Sequence, residues 1–162
     1  MSRKQCKRRQ RPVYADPMQV ARNQAGALTP EELGRIMGPL RAAFDRLRQG
    51  VGSDDDWAAL AGGLGMACNI ERQGVVRGLQ GHLSAADHAL RAVEARASAG
   101  VRWHAPELRF DELEAIGTFL DLHDFQLRQL GYAEFRRALA ATVGQARQRG
   151  VRVEKLGEAG HA

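Results

Sequence analysis

The fold of this chain is best approached through residues 113–130, whose sequence is LEAIGTFLDLHDFQLRQL. Six of these positions follow one another at spacings of three and four residues. This alternation is the spacing of side chains along the packed face of one α-helix. The six residues are Leu113, Ile116, Leu120, His123, Leu127 and Leu130. The pattern predicts a long amphipathic helix with a histidine in its apolar face.

His123 stands between two aspartates, so the segment is either a chemical site or part of the core. Neighbouring residues on a helix point about 100° apart, so Asp124 does not face where His123 faces. Asp124 is instead placed to pair with Arg128, four residues later. We predict that His123 is a structural core residue, hydrogen-bonded across the bundle so that its buried polar group is satisfied. The remaining histidines have no paired metal-ligand spacing, so we expect neither a catalytic residue nor a metal; they are His82, His88, His104 and His161.

The rest of the chain also has a helical pattern, with residues that typically begin and end helices. Thr29 before a proline and two glutamates, and Ser53 before three aspartates, are strong N-terminal caps. Predicted helices run from Thr29 to Gly50, from Ser53 towards Gly74, from Ser84 to Gly100, from between Pro106 and Asp111 to Gly131, and from Tyr132 to Arg149. Short glycine turns favour antiparallel neighbours. The sequence predicts an all-α fold, a compact bundle of about five helices over residues 29–150.

Two of the predicted helices carry further expectations. The second is rich in glycine, and each interior glycine costs about 0.5–1 kcal/mol relative to alanine. It is therefore either held by close packing or interrupted near Gly74 and Gly78. The GGLG stretch at 62–65 lacks the strand and the Lys-Ser/Thr of a phosphate loop, so close helix crossing is the better interpretation. The fifth helix is predicted to present one apolar face, formed by Phe135, Leu139, Val143 and Ala146.

The positive charge of the chain is concentrated at its N-terminus. The chain has 24 basic and 19 acidic residues, and six of the cations lie within residues 1–11, which contain no acid. They are Arg3, Lys4, Lys7, Arg8, Arg9 and Arg11. The remainder has 18 basic against 19 acidic residues, a net charge of −1. Pro12 and Pro17 disfavour a helix, so residues 1–28 are predicted to form a disordered basic arm and residues 151–162 a flexible tail.

The basic arm is suited to contact the phosphates of DNA or RNA. Cations that neutralise phosphates release counterions, and six such contacts on duplex DNA would give a log–log salt slope on the order of −5. The same composition also fits an acidic protein partner or a merely solvated chain end, and these alternatives stay open. Three arginines near the end of the fifth helix have two possible roles; they are Arg147, Arg149 and Arg152. They extend the basic surface of the arm, or they interact favourably with the negative end of the helix dipole. The helix dipole is the simpler explanation for their position.

The remaining composition limits the cell compartments and the kinds of chemistry that suit this chain. Two cysteines, Cys6 and Cys68, are too few for a disulfide framework and fit a reducing compartment. Neither the apolar region of a secretory signal nor a run of about 20 apolar residues is present. No nucleophile, metal set or cofactor loop can be assembled from the sequence. We therefore expect a non-enzymatic cytoplasmic protein that needs no cofactor and does not enter a membrane.

Two stretches of the chain resemble a group of known sequences. One is Arg11-Pro12-Val13 followed by Asp16-Pro17-Met18 after a basic start, and the other is Ala115-Ile116 leading to Leu122-His123-Asp124 and Gln126-Leu127. Both resemble short proteins, without an established activity, encoded by phages and prophages of Gram-negative bacteria. The resemblance implies a bacterial host cell and transfers no catalytic residue. The expected function is an accessory protein that contacts nucleic acid through its arm, or alternatively a protein-binding helical module acting on a host or phage protein.

Overall fold

The computed structural model describes Met18 and residues 25–150 of the chain. Helices follow one another in this part as α1 (Pro30–Arg48), α2 (Asp54–Gln73), α3 (Gln80–Ala97), α4 (Phe110–Gln129) and α5 (Tyr132–Gln148). The described residues contain no strand, only an isolated antiparallel bridge between Ala27 and Gly131. The predicted all-α bundle of about five helices is thus confirmed. Most of the predicted arm and all of the predicted C-terminal tail lie outside the described residues.

Helices α1 and α2 begin with the capping boxes that the sequence predicts. The Thr29 hydroxyl accepts a hydrogen bond from the Glu32 N–H at 3.2 Å, and the Glu32 carboxylate accepts one from the Thr29 N–H at 2.8 Å. Ser53 and Asp56 repeat the exchange at 3.3 and 2.9 Å. These reciprocal bonds satisfy backbone donors that a helix start leaves unpaired.

Helix α2 is the centre of the bundle and packs against each of the other four helices. It stays continuous through Gly62, Gly63 and Gly65, of which Gly63 and Gly65 lie at close crossings as predicted, and it is interrupted at Gly74, the other predicted alternative. A Cβ atom on Gly63 would stand 2.9 Å from Leu40 Cδ1 of α1, and one on Gly65 would stand 3.7 Å from Thr142 Cγ2 of α5. The helix ends at Gly74, whose φ of +81° is a left-handed conformation that favours glycine.

Helix α3 begins at Gln80, so the predicted start at Ser84 was wrong. Its first N–H groups are capped from outside the helix, by a carboxylate at the end of α2. Glu71 Oε1 accepts hydrogen bonds from the N–H groups of Gly78, Leu79 and Gln80 at 3.1, 2.9 and 2.9 Å. Because this cap lies seven to nine residues upstream, the local cap pattern at Ser84 was misleading.

Helix α4 supplies much of the core, and its predicted seam is largely buried. Ile116, Leu120, His123, Leu127 and Leu130 are buried, whereas Leu113 is only half-buried. The buried face is wider than the seam, since it also contains Glu112, Phe119 and Gln126.

Helix α5 packs on α2 with a face that matches the predicted apolar one only in part: Phe135 packs against the core, and Leu139 does not. Ala138 is its one buried residue in the described structure, and Leu139 is 37% exposed. Polar contacts set its rotation instead. Asn69 Nδ2 of α2 donates to Thr142 Oγ1 at 2.8 Å, and Gln145 Nε2 donates to Asn69 Oδ1 at 3.3 Å. The apolar spacing therefore gave the wrong orientation at Leu139, because a buried amide had to be satisfied.

Candidate nucleic-acid interface

The structure defines the place where the basic arm joins the body. The six arm cations lie outside the described residues; they are Arg3, Lys4, Lys7, Arg8, Arg9 and Arg11. Gly26 O accepts a hydrogen bond from Tyr132 N at 2.8 Å, Ala27 bridges to Gly131, and Leu28 is buried in the core. The body therefore begins a few residues before the predicted boundary at residue 28. The arm leaves the body beside the first turn of α5.

Helix α5 has the highest ratio of basic to acidic residues among the five helices. It carries Arg136, Arg137 and Arg147, with Arg149 just after its end, against one acidic residue. That acid, Glu134, accepts a hydrogen bond from the N–H of Gly131 at 2.8 Å and so caps the helix start. We call the exposed side, opposite Ala138, the outer face of α5; it consists of Arg136, Arg137, Ala140, Ala141, Arg147 and Gln148.

The arginines of the outer face have no ion-pair partner, a property that they share, among the described residues, with Arg35, Arg72, Arg77, Arg102, Arg109 and Arg149. Six arginines of α1, α3 and α4 each lie within 4.0 Å of a carboxylate oxygen; they are Arg41, Arg46, Arg48, Arg91, Arg96 and Arg128. Within residues 25–150, no carboxylate stands that close to Arg136, Arg137 or Arg147. Since the described body is nearly neutral, the outer face is a local excess of positive charge.

Sequence reasoning did not select Arg136 and Arg137, although a signal for them exists. Residues 135–153 contain five arginines and no acidic residue. Of the three arginines considered at this end of the chain, Arg147 lies on the outer face and Arg152 lies outside the described residues. Arg149 points elsewhere, into a groove beside α2.

His123 is fully buried in α4 and stacks on Phe119, with ring centroids 5.8 Å apart. Its Nδ1 lies 3.3 Å from Gln126 Oε1, and Gln126 Nε2 donates to Ala67 O of α2 at 3.2 Å. The prediction that His123 bonds across the bundle was therefore wrong: Gln126 makes that bond, His123 contacts Gln126 within α4, and His123 Nε2 is buried without a hydrogen-bond partner among the described residues. Because Gln126 Oε1 can only accept, this contact requires the tautomer with a proton on Nδ1.

The surroundings of His123 do not form an acid-base pair. Burial lowers the pKa of His123 to about 4, against smaller opposing effects of the Gln126 bond and of Asp124, so the ring is neutral at pH 7. Asp124 bonds Arg128 Nε at 3.0 Å, as predicted, and also lies 3.7 Å from Arg41. No carboxylate within the described residues is hydrogen-bonded to the imidazole, so the arrangement packs the core and offers no base with an orienting acid.

A groove with a volume of about 890 Å³ runs between α2 and α3. Trp57, Leu64 and Leu90 form apolar parts of its wall, and Trp57 Nε1 donates to Leu90 O at 2.9 Å. The groove is lined by both acidic and basic side chains, and some of them already have partners within the protein: Asp87 pairs with Arg91 at 2.8 Å, and Glu71 caps α3. Such a groove is suited to an apolar segment of a partner more than to a polyanion.

The described part of the chain forms neither a cluster of metal ligands nor a membrane-spanning helix. Side chains able to hold a metal ion do not gather in threes among these residues. None of the described helices combines the length and the apolar content needed to cross a membrane. Compared with protein-family models, with curated proteins and with solved structures, the chain gave no match. Function is therefore inferred from the residues themselves.

Proposed function

We propose that this chain is a non-enzymatic, nucleic-acid-binding accessory protein of the phage or prophage type, acting in the bacterial cytoplasm. One observation carries the proposal. The hydrogen bond from Tyr132 N to Gly26 O, at 2.8 Å, joins the root of the basic arm to the start of α5. The chain before residue 25, which carries the cations of residues 1–11, is therefore tethered beside the helix that presents the cations of the outer face.

The expected mode of binding is electrostatic contact with the phosphate backbone. Residues 25–150 contain 15 arginines and 16 acidic residues, so the body as a whole provides little attraction for a polyanion. Attraction must come from the cations that lack acidic neighbours. Phosphate contacts of this kind fix the position of a protein on nucleic acid and carry no sequence information by themselves. We therefore expect binding that depends strongly on salt and weakly on sequence.

The proposal is tested by fluorescence anisotropy with labelled DNA and RNA at several salt concentrations. Deleting residues 1–11 is expected to make the log–log salt slope shallower by about 5, because six phosphate contacts are lost. A matched variant keeps the arm length and replaces its six cations by glutamine, and it should behave like the deletion. An unchanged slope in both variants, or no binding by the full chain at low salt, would contradict the proposal.

The second candidate is a protein-binding helical module that acts on a host or phage protein, with the arm incidental. The apolar wall of the groove between α2 and α3, which includes Trp57 and Leu64, favours it. In this case protein partners are retained in pull-downs by the chain lacking residues 1–11. Ala61→Arg, which places a charge in the groove, would release them.

A further inference from the structure

We propose that the outer face of α5 lies across the major groove of double-stranded DNA and contacts the phosphates on both of its rims. The inference rests on the proposed function and names its substrate class. It predicts that the protein prefers duplex DNA to single strands and to RNA duplexes, and that this preference resides in α5 and not in the arm.

The first support is the spacing of the cations along the helix. Arg136 and Arg147 are 11 residues apart, which is about 16 Å along an α-helix and about three whole turns. They therefore project from nearly the same side of α5, with Arg137 beside the first of them. The major groove of B-form DNA is about 12 Å wide. A helix lying over it can thus bring one end of its outer face to each rim.

The second support is the middle of the outer face. Ala140 and Ala141 are exposed and stand between the two sets of arginines. Their short side chains allow the helix to approach the duplex while the arginines reach the phosphates. They offer no group that would bond a row of 2′-hydroxyls, which proteins use when they bind an RNA duplex across its shallow groove.

The outer face also lacks what single strands require. Proteins that bind single-stranded nucleic acid stack the bases on aromatic side chains. The outer face contains arginine, alanine and one glutamine, and the nearest exposed aromatic side chain of α5, Tyr132, packs against Phe135 with ring centroids 6.5 Å apart. Contacts made on two opposite rims need two strands held at a fixed separation, a condition that only a duplex meets.

The third support is the fixed orientation of α5 on the body. Among the described elements its substantial packing is against α2 alone, and Asn69 is bonded to both Thr142 and Gln145 on the inner side. The outer face therefore points away from the bundle, and Arg136, Arg137 and Arg147 are all exposed. Because the helix backbone is already fixed, little backbone freedom is lost on binding, and the cost is confined to the arginine side chains.

The experiment compares two variants of the full chain that lose the same charge at different places. One replaces Arg136, Arg137 and Arg147 by glutamine. The control replaces Arg48, Arg91 and Arg128, which are exposed but paired with carboxylates at 3.1, 2.8 and 3.0 Å. Anisotropy is measured with a 20-bp DNA duplex, one strand of it, and the corresponding RNA duplex. Thermal melts confirm that both variants remain folded.

The outer-face variant should bind duplex DNA on the order of 10- to 100-fold more weakly near 0.1 M salt, with a slope shallower by about 3, one unit for each lost phosphate contact. Its single-strand affinity and all affinities of the control should stay within about twofold of the wild type, because those contacts are unchanged. Ala140→Glu, which adds a carboxylate between the arginines, should also weaken duplex binding selectively.

Several results would overturn the inference. One is that the outer-face variant loses as much affinity for single strands as for duplex DNA. Another is that the control variant loses as much affinity for duplex DNA as the outer-face variant. A third is that the wild-type protein binds the RNA duplex as tightly as the DNA duplex. The arm variants separate this failure from failure of the proposed function. If the arm variants bind nucleic acid more weakly and the outer-face variant does not, the nucleic-acid function is supported and the proposed role of α5 is wrong. If the full chain binds no nucleic acid, both fall.

Discussion

Replacing Arg96 by methionine is expected to lower the free energy of unfolding by about 3 kcal/mol, because it leaves a buried carboxylate without its ion-pair partner. Nη1 and Nη2 of Arg96, on α3, donate to the two carboxylate oxygens of Glu112, on α4, each at 2.6 Å. The Glu112 side chain is only 4% exposed. Burial by itself raises the pKa of Glu112, but Arg96 and the Arg109 N–H together hold it below its ordinary value. Without Arg96, only the Arg109 contact at 2.9 Å remains.

Urea unfolding at pH 7 measures this loss. The matched control is Arg91→Met on the same helix, which breaks an exposed pair with Asp87 and should cost less than about 1 kcal/mol. Replacing Glu112 by leucine as well as Arg96 by methionine should recover much of the stability, because no buried charge is left unpaired. Equal losses for Arg96→Met and Arg91→Met would show that the Glu112 pair contributes no more than a surface contact.

The protein is expected to lose about 2 kcal/mol of stability between pH 7 and pH 5 through His123 alone. The pKa of His123 is about 4 in the folded chain, against an ordinary value of 6.5, because the ring is buried. Unfolded chains therefore bind a proton in this range that the folded chain does not. The stabilisation is complete above pH 6.5 and is lost as the pH falls towards 4. Asp56, with a pKa of about 2, titrates outside this window.

His123→Leu isolates this effect. The variant loses the contact with Gln126, so its stability at pH 7 should fall, but its stability between pH 7 and pH 5 should become nearly flat. Chemical unfolding at several pH values measures the slope, and an NMR titration of the His123 ring checks that it stays neutral at pH 5. A slope identical in both proteins would mean that His123 is accessible to protons in the folded state. Nucleic-acid binding at pH 7 should be unaffected, because His123 is far inside the core.

The parts of the fold that could be predicted from the sequence are those set by local signals. The seam of α4 and the capping boxes at Thr29 and Ser53 depend on residues within a few positions of one another. The start of α3 and the rotation of α5 could not be predicted in this way. The first depends on Glu71 and the second on Asn69, and each acts on backbone or side chains that only the folded chain brings close.

The candidate interface shows the same division. The charge run in residues 1–11 is visible in the sequence, and so is the acid-free stretch that holds Arg136 and Arg137. What the sequence could not show is which arginines remain without a carboxylate. Arg96 and Arg137 look alike until the fold places Glu112, sixteen residues later in the chain, beside Arg96, at 2.6 Å from its guanidinium. The place where the arm leaves the body likewise depends on the Gly26 contact with Tyr132.

The most direct test of the central claim is an NMR titration of the full-length protein with a 20-bp DNA duplex, observing backbone amides and arginine Nε–H groups. The account predicts that the largest changes fall on the arm, on residues 25–28 and on Arg136, Arg137 and Arg147. Signals of Arg48 and Arg128, and of the groove between α2 and α3, should change little. Changes concentrated in that groove, with α5 and the arm unaffected, would contradict the claim that nucleic acid binds at the basic side of the molecule.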